Sequence, residues 1–291
     1  MDSPTLSFIG FGEAAQAFAE GLQHPLGTYD RKTDEETTRA RKQADYRRLQ
    51  AVGHTSNRAA VSGADLILSL VTADQALAAA RASSEAIVPG ALYCDLNSVA
   101  PETKRAAAVL IEGAGGHYVD VAVMAPVHPA RRSVPLLVSG PHAADARDRL
   151  LALGFVNLRV LEGPVGAASA VKMIRSVMVK GLEALTAECF LAADRAGVRD
   201  EVAASLNASW PGTDWSEKAD YNLERMIVHG VRRAEEMTEV VKTLDGLGTG
   251  SAMSRGTVER QRAIGRLGIA PPAGLGSKID AILNGQREKA A

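Results

Sequence analysis

The stretch between residues 5 and 22 constrains the fold of this chain more than any other. It reads TLSFIGFGEAAQAFAEGL, in which a short apolar run, Leu6 to Ile9, breaks at Gly10 and opens directly into a helix-like segment. Gly10, Gly12 and Ala15 fall on the GxGxxG/A pattern. In that pattern the first glycine permits a sharp turn, the second admits a pyrophosphate, and the last position lets the helix pack close to the strand. The stretch predicts a strand, a tight turn and a helix that bind a dinucleotide, with the helix N-terminus facing the phosphates.

The residues that follow this helix support the same prediction. Leu26 to Tyr29 suits a second strand, and Asp30 lies about 20 residues after Gly10, where an acid that accepts from a ribose hydroxyl belongs. Asp30 disfavours the extra phosphate of NADP by repulsion, whereas Arg31 and Lys32 offer that phosphate partners. The two bases are equally well explained as the solvated start of a helix. We therefore predict NAD or NADP as the cofactor, with NAD slightly favoured.

Composition bounds the class of protein. The chain has 291 residues, 46% of them hydrophobic, which is enough for two domains, and its formal net charge is −1. This charge gives no general attraction to nucleic acid or to a membrane surface, so we expect a small-molecule substrate as the partner. Cys94 and Cys189 lie in apolar runs without the spacing of metal ligands, so no metal is expected. The N-terminal residues lack a signal-peptide pattern, which favours a cytoplasmic location.

The first half of the chain alternates between strand-like and helix-like segments. Apolar runs at residues 64–71, 91–96, 117–122 and 135–138 read as buried strands, and helical patterns at 73–85 and 101–112 separate the earlier ones. Such alternation predicts a doubly wound, Rossmann-type parallel sheet, α/β in class. Because ligands gather at the carboxyl ends of parallel strands, we expect Thr72, Asn97 and Ser98 to line the same crevice as Gly10.

The pattern changes near Gly163. Residues 166–193 form one long helical pattern with apolar residues at spacings of three and four, and residues 201–206, 221–247 and 254–267 also read as helices. The sequence thus predicts a dinucleotide-binding domain over residues 1–163 and an all-α C-terminal domain over residues 164–291. The abundance of Ala, Leu and Met in the second domain is compatible with a homodimer.

Lys172 is the strongest catalytic candidate. It lies off the apolar stripe of the long helix, and Ser176, Glu183 and Thr186 project on nearly the same side of the helix. A lysine beside a bound nicotinamide is able to exchange a proton with an alcohol or a carbonyl while hydride moves. From the spacing alone, a solvated lysine on a helix surface is the favoured explanation of the residue.

The sequence resembles the β-hydroxyacid dehydrogenases, the family of 3-hydroxyisobutyrate and 6-phosphogluconate dehydrogenases, over most of its length. FIGFGEAAQAFAEGL is similar to the family's N-terminal signature, Asp95 to Ser98 fall on its D-x-S/N-S/T segment, and Gly163, Gly166 and Lys172 fall on its glycine-rich run to the catalytic lysine. The resemblance implies that Lys172 is the general acid/base and that Ser98 borders the substrate. It also implies that Thr72 and Val71 touch the cofactor ribose. In all, the predicted cofactor contacts are Gly10, Phe11, Gly12, Glu13, Ala14, Ala15, Asp30, Arg31, Val71, Thr72 and Asn97.

Two departures from the family pattern affect the substrate side. The usual DAPVSGG loop is DVAVMAP here, so Ala125 and Pro126 replace a glycine pair, and proline has no amide hydrogen to give. Arg175 replaces the asparagine three residues after the lysine. These departures are typical of a divergent branch with its own helical C-terminal domain. The predicted substrate contacts are Ser98, Met124, Ala125, Ser176 and Arg233.

Arg233 falls about where the family often has a Lys-Asp pair that contacts the substrate. An arginine there is suited to hold a carboxylate through two parallel hydrogen bonds. A surface charge network with Glu235 and Glu236 is slightly favoured as the alternative.

The function predicted from the sequence is hydride transfer between NAD(P) and a small 3-hydroxy acid or a related alcohol. Two alternatives remain open. Imine reductases share the architecture but usually lack this lysine, and a non-catalytic dinucleotide-binding regulatory protein would explain the departures at Ala125, Pro126 and Arg175.

Overall fold

The computed structural model describes residues 5–290 and divides the chain into two compact units, Met1–Lys172 and Met173–Ala291. Residues 1–4 and 291, which the predicted domains include, lie outside the described residues. The first unit extends past the predicted boundary at residue 163 and includes the beginning of the long helix. It does so because the amides of Gly166, Ala168 and Ser169 are hydrogen-bonded to side chains of Asp120 and Ser139 on the sheet.

The first unit is built on one eight-stranded sheet with the strand order β3-β2-β1-β4-β5-β6-β7-β8. The strands are β1 Leu6–Ile9, β2 Leu26–Tyr29, β3 Val52–Gly53, β4 Leu66–Ser69, β5 Leu92–Asp95, β6 His117–Val123, β7 Leu136–Ser139 and β8 Leu158–Val160. All neighbours pair in parallel except β6 and β7, which are antiparallel. The predicted doubly wound parallel sheet is confirmed, and this pair is its one departure among the described strands. The connection between β6 and β7 contains only one short 3₁₀ helix, Arg131–Ser133, and a parallel return needs a longer crossover.

In the described part of the first unit, six α-helices accompany the sheet before the long helix begins. They are α1 Glu13–Ala19, α2 Glu36–Arg48, α3 Asn57–Val61, α4 Ala76–Ser84, α5 Pro101–Gly113 and α6 Ala143–Ala152. Two apolar clusters are built on the strands, one of them joined by residues of α1 and α6 and the other by residues of α3, α4 and α5. Strands β1, β4, β5 and β7 are buried at every position, as expected for strands covered on both faces.

The second unit is helical throughout its described part. Its helices are α7 Ala167–Arg195, which begins in the first unit, α8 Arg199–Ser209, α9 Trp215–Gly246, α10 Ala252–Gly265 and α11 Leu275–Ala290. Its main core joins residues of α7, α8, α9, α10 and α11, with Phe190, Leu223 and Ile279 among those fully buried. Among the residues that the structure describes, no helix is both long and apolar enough to cross a membrane.

The burial of α7 runs against its amphipathic pattern. Its polar side chains Ser176, Lys180 and Glu183 are buried. Met178 and Leu185, which belong to the apolar stripe, are 63% and 53% exposed. In this chain the stripe that marks the helix in the sequence is largely uncovered, and the polar line is turned inward.

Candidate active site

The turn after β1 has the geometry that its glycines predict. Gly10 has φ +85°, and a Cβ atom placed there would lie 2.5 Å from the carbonyl oxygen of Leu70 and 2.9 Å from Cγ1 of Val71. Gly12 differs, because a Cβ atom there would have no heavy atom within 4 Å and the residue is exposed. The protein itself therefore requires a glycine at residue 10, whereas the space beside residue 12 is open to a ligand.

Two of the other predicted contacts in this turn, Phe11 and Ala15, are buried within the protein. The Phe11 amide donates to Oδ2 of Asp30 at 2.8 Å, and its carbonyl accepts from Nζ of Lys42 at 2.7 Å. Its ring is fully buried and packs edge-on against Tyr46. Ala15 is fully buried, as close packing of helix and strand requires, whereas Glu13 is exposed. Phe11 thus holds the turn and Asp30 together. Its amide already donates to Asp30, so that hydrogen bond is made within the protein.

Asp30 follows β2 and is held in place by two backbone amides. Besides the Phe11 amide, it accepts the amide of Lys32 through Oδ1 at 3.0 Å, and it is only 9% exposed. Arg31 and Lys32 are exposed. The neighbouring Tyr29 hydroxyl donates to Asp34, and burial together with this hydrogen bond raises the pKa of Tyr29 to about 12. The cleft thus combines one fixed carboxylate with two solvated cations.

A cleft of about 310 Å³ lies between this turn and α4. The end of β4 supplies one wall through Leu70, Val71 and Thr72. The apolar floor comes from α4 and consists of Ala78, Ala79 and Ala82. An apolar slot with a few polar groups is typical of a small-molecule or cofactor site. The structure brings Gly10, Gly12, Asp30, Arg31, Val71 and Thr72 together here, as the sequence predicts.

Asn97 supports this cleft from behind and does not line it. Its Oδ1 accepts the amide of Val71 at 2.7 Å, its Nδ2 donates to Oγ of Ser69 at 3.0 Å, and the residue is buried. The loop from β5 is thereby tied to the loop from β4. The role of Asn97 in the described structure is to position Val71.

Lys172 and Ser98 meet within the first unit. The Lys172 ammonium donates to Oγ of Ser98 at 2.5 Å, and both side chains are partly buried. Met124 packs against a small apolar cluster of Ala122, Leu137 and Ala168, the last of which lies one turn before the lysine, while Ala125 is exposed. Lys172, Ser98 and Met124 therefore belong to one region at the carboxyl ends of β5 and β6.

A buried ionic cluster that sequence reasoning missed lies behind this region. Asp95 and Asp120 are direct neighbours in the parallel pair β5 and β6. Nζ of Lys104, on α5, lies 3.0 Å from Oδ1 of Asp95 and 3.4 Å from Oδ1 of Asp120, and all three residues are at most 1% exposed. The register of the two aspartates required knowledge of strand pairing. A lysine in a helix that opens with Pro-Glu-Thr reads as a surface residue.

The two predicted substrate residues of the second unit lie in a buried polar network there. Arg233 pairs with Glu183 through Nε at 2.9 Å and also through Nη2, and Gln261 donates to the same carboxylate at 2.8 Å. Ser176 accepts from Lys180 at 3.5 Å. The predicted network of Arg233 with Glu235 and Glu236 is not the one observed, because Arg232 pairs with Glu236 and Arg233 points to α7.

Two family descriptions match the chain. The NAD binding domain of 6-phosphogluconate dehydrogenase matches residues 5–153, just over half of the 291 residues. A domain of unknown function, DUF1932, matches residues 193–264 in the helical unit.

Two solved structures of modest sequence identity cover nearly the whole chain. A conserved hypothetical protein from Sinorhizobium meliloti is 37% identical with a TM-score of 0.78, and 97% of each chain is covered. A conserved protein of unknown function, described as structurally similar to 3-hydroxyacid dehydrogenases, is 29% identical with a TM-score of 0.70 and covers 97% of this chain and 99% of its own. Both structures have the same fold as this chain over nearly its whole length.

More distant structures share the fold alone. The Mycobacterium tuberculosis 3-hydroxyisobutyrate dehydrogenase, solved with L-serine, is 16% identical with a TM-score of 0.72 over 97% of this chain and 98% of its own. An imine reductase from Streptomyces aurantiacus is 20% identical with a TM-score of 0.55 over 96% and 99%. The chain therefore belongs to the family that carries the NAD binding domain of 6-phosphogluconate dehydrogenase, in a divergent branch whose helical domain is of unknown function.

Proposed function

We propose that this protein is an NAD-dependent oxidoreductase that interconverts a small 3-hydroxy acid and its carbonyl form, with Lys172 as the general acid/base. The observation that carries the proposal is the 2.5 Å contact between Nζ of Lys172 and Oγ of Ser98, in the unit that contains the glycine-rich turn and its cleft. A lysine in contact with a serine hydroxyl is placed to share a small polar substrate with it.

The cleft residues fit a dinucleotide. Gly12 leaves open space at the turn, the alanines of α4 provide an apolar surface for a flat ring system, and Asp30 presents a fixed acceptor for a ribose hydroxyl. When bound, the nicotinamide accepts or supplies the hydride. The contribution of the protein is to hold these groups and to manage the proton.

Lys172 manages that proton. In the oxidative direction its neutral amine removes the proton of the substrate hydroxyl, and in the reductive direction its ammonium donates a proton to the carbonyl oxygen. Ser98 donates to or accepts from the same substrate oxygen and holds it near Nζ. Met124 packs against the apolar cluster that includes Ala168 of α7, and its predicted contact with the substrate stays a prediction.

The predicted contribution of Ser176 and Arg233 to substrate binding stays a prediction. Arg233 already holds the carboxylate of Glu183, and a substrate carboxylate would have to share or replace that partner. A guanidinium has five N–H donors, so a second carboxylate is able to bind on its remaining edge.

Substitution of Lys172 tests the proposal. We expect Lys172→Met to bind NADH with the affinity of the wild type and to lose about 10²–10⁴-fold in kcat with small 3-hydroxy acids or their carbonyl forms. Lys172→Arg, which keeps the charge but does not deprotonate, serves as the matched control and should lose activity to a similar extent. Near-normal turnover by either variant would remove the lysine from the mechanism.

The substrate panel separates the remaining alternatives. Cyclic imines with NADH and NADPH test imine reduction, which does not need a lysine as the proton donor in the position of Lys172. Tight cofactor binding without oxidation of NADH or NADPH by any carbonyl or imine would favour the non-catalytic regulatory protein.

The choice of NAD over NADP rests on Asp30. Its carboxylate is buried and fixed by two backbone amides, so it repels a 2′-phosphate without first having to be ordered. Arg31 and Lys32 are exposed, so their attraction to that phosphate is screened by salt and costs side-chain entropy. We expect NADH to bind more tightly than NADPH and Asp30→Asn to narrow the difference, with Arg31→Ala leaving the NADH affinity unchanged. Tighter binding of NADPH by the wild type would contradict this choice.

We also propose a homodimer formed through the second unit. The outward face of α7 carries Ile174, Met178, Leu182 and Leu185, and a groove of about 250 Å³ continues from it to Met253 of α10. In a two-fold symmetric dimer the same surface of each subunit meets, so the apolar stripe of one α7 would pack against that of the other. Light scattering should give twice the chain mass of 30.6 kDa, and Met178→Glu should return it to one chain. A wild-type mass of one chain at micromolar concentration would refute the dimer.

A further inference from the structure

The cluster of Lys104, Asp95 and Asp120 connects the two halves of the proposed catalytic pair. Nζ of Lys104 contacts Asp95 and Asp120 at 3.0 and 3.4 Å and also donates to the carbonyl oxygen of Asp95 at 2.5 Å. A fully buried lysine costs free energy unless its charge is compensated, so these contacts hold it firmly.

One arm of the cluster leads to Ser98. Oδ1 of Asp95 accepts the amide of Asn97 at 2.8 Å, and Oδ2 accepts the hydroxyl of Tyr118 at 2.7 Å. Burial and the charge of Asp95 raise the pKa of Tyr118 well above its usual range, so the tyrosine remains a donor at neutral pH. Asn97 is thereby fixed through its backbone as well as its side chain, and Ser98 is the next residue.

The other arm leads to Lys172. Asp120 accepts the amides of Gly166 and Ser169 at 3.1 and 3.0 Å, and the Ser169 hydroxyl at 2.6 Å. Gly166 directly precedes α7 and Ser169 lies in its first turn, and Lys172 follows Ser169 by three residues. The carboxylate of Asp120 thus caps the helix that carries the lysine.

The beginning of α7 packs closely against α5 at Gly166. Gly166 has φ +99°, and a Cβ atom there would lie 2.9 Å from Nη1 of Arg105 and 3.1 Å from Cβ of Pro101. The start of α7 is therefore fixed from the side of α5 as well as from the side of the sheet.

We infer that Lys104 is a positioning residue that sets the distance between Lys172 and Ser98 by holding Asp95 and Asp120 together. Lys104 is fully buried, and its described polar contacts are with Asp95 and Asp120. The effect on catalysis rests on the proposed function. The effect on the distance between Nζ of Lys172 and Oγ of Ser98 rests on the geometry alone.

Lys104→Met tests the inference by removing the charge while keeping the length of the side chain. We expect kcat to fall about 100-fold, the effect of a displacement of about 1 Å between reacting groups. NADH affinity and KM should change far less, and the limb of the kcat–pH profile that reports Lys172 should move. The matched control is Lys278→Met, because Lys278 is also buried and paired with two carboxylates, Asp220 and Glu224, but in the second unit. A kcat of Lys104→Met equal to that of Lys278→Met, per folded molecule, would overturn the inference.

A milder variant keeps the test decisive if Lys104→Met does not fold. Ser169→Ala removes only the hydroxyl contact to Asp120 and leaves the amide contact in place. We expect about a tenfold loss of kcat with unchanged NADH affinity. Wild-type kcat in this variant would count against positioning through Asp120.

Crystal structures of the two variants separate this inference from the proposed function. We expect the Nζ–Oγ distance between Lys172 and Ser98 to increase from 2.5 Å to beyond hydrogen-bond range. This distance is measured without any enzymatic turnover. An inactive wild type would therefore refute the proposed enzyme function but would leave the positioning role of Lys104 open to the same test. An unchanged distance would refute the positioning role whatever the activity.

Discussion

Alanine substitutions at the two glycines of the turn should separate a requirement of the fold from a requirement of the ligand. Gly10→Ala places a Cβ atom 2.5 Å from the Leu70 carbonyl oxygen, at a residue whose φ is +85°. The left-handed conformation costs a non-glycine residue about 1–2 kcal/mol. The contact with the backbone of Leu70 adds the cost of overpacking, about 1–3 kcal/mol, because a backbone atom cannot rotate away.

Together these effects predict a loss of roughly 2–5 kcal/mol in the free energy of unfolding of the first unit. For a unit of this size that corresponds to a fall in Tm of roughly 5–20 °C. Urea unfolding followed by circular dichroism, at a protein concentration well above any dimer dissociation constant, measures the effect. An unchanged unfolding midpoint would show that the turn does not have the geometry described here.

Gly12→Ala is the matched control. Gly12 has φ −80°, which alanine tolerates, and its Cβ atom would meet nothing within 4 Å. We expect wild-type stability but at least a tenfold loss of NADH affinity, equivalent to about 1.4 kcal/mol, because the methyl group occupies the approach of the pyrophosphate. Unaltered affinity in a folded Gly12→Ala protein would place the pyrophosphate elsewhere.

Three further predictions concern buried or partly buried polar groups. Burial raises the pKa of the Cys94 thiol to about 12, so titration with a thiol reagent should modify at most Cys189 in the native protein and both cysteines in denaturant. The pKa of Tyr29 is about 12 in the folded protein and about 10 in the unfolded chain. The stabilisation that comes from this shift is therefore complete below pH 10 and is lost as the pH rises from 10 to 12. The difference in unfolding free energy between wild type and Tyr29→Phe should accordingly change between about pH 9 and 12. Glu183→Gln leaves the buried guanidinium of its partner without a countercharge and should cost about 3–5 kcal/mol in unfolding experiments, and a loss below 1 kcal/mol would show that water or another carboxylate compensates it.

The sequence was informative where structure depends on neighbouring residues. The bounds of β1 and β2, Leu6–Ile9 and Leu26–Tyr29, coincide with the predicted runs because each is a short apolar segment ended by a glycine or a charged residue. The spacing from Gly10 to Asp30 was sufficient to place both at one cleft, since parallel strands end at one edge of a sheet.

Features that depend on distant pairing were not predicted. The antiparallel direction of β7 follows from how its residues pair with β6, and no local pattern encodes that direction. Lys104 was missed for the same reason, because its two carboxylates lie 9 residues before and 16 residues after it in the chain and meet only through the register of β5 and β6. Asn97 was expected to line the cleft, but its amide group is used to bind Val71 and Ser69.

The long helix α7 shows why amphipathicity alone does not identify the inner side of a helix. Spacing correctly grouped Lys172, Ser176 and Glu183 on one side and the apolar residues on the other. The polar side is buried because the second unit provides partners for it: Arg233 and Gln261 for Glu183, and Glu236 for Lys180. Polar groups that have hydrogen-bond or ionic partners are buried at little cost in free energy. The exposed apolar stripe, in contrast, gains free energy when another apolar surface covers it. The same helix is therefore expected to carry the catalytic lysine at its first turns and the contact with a second copy of the chain along its outer side.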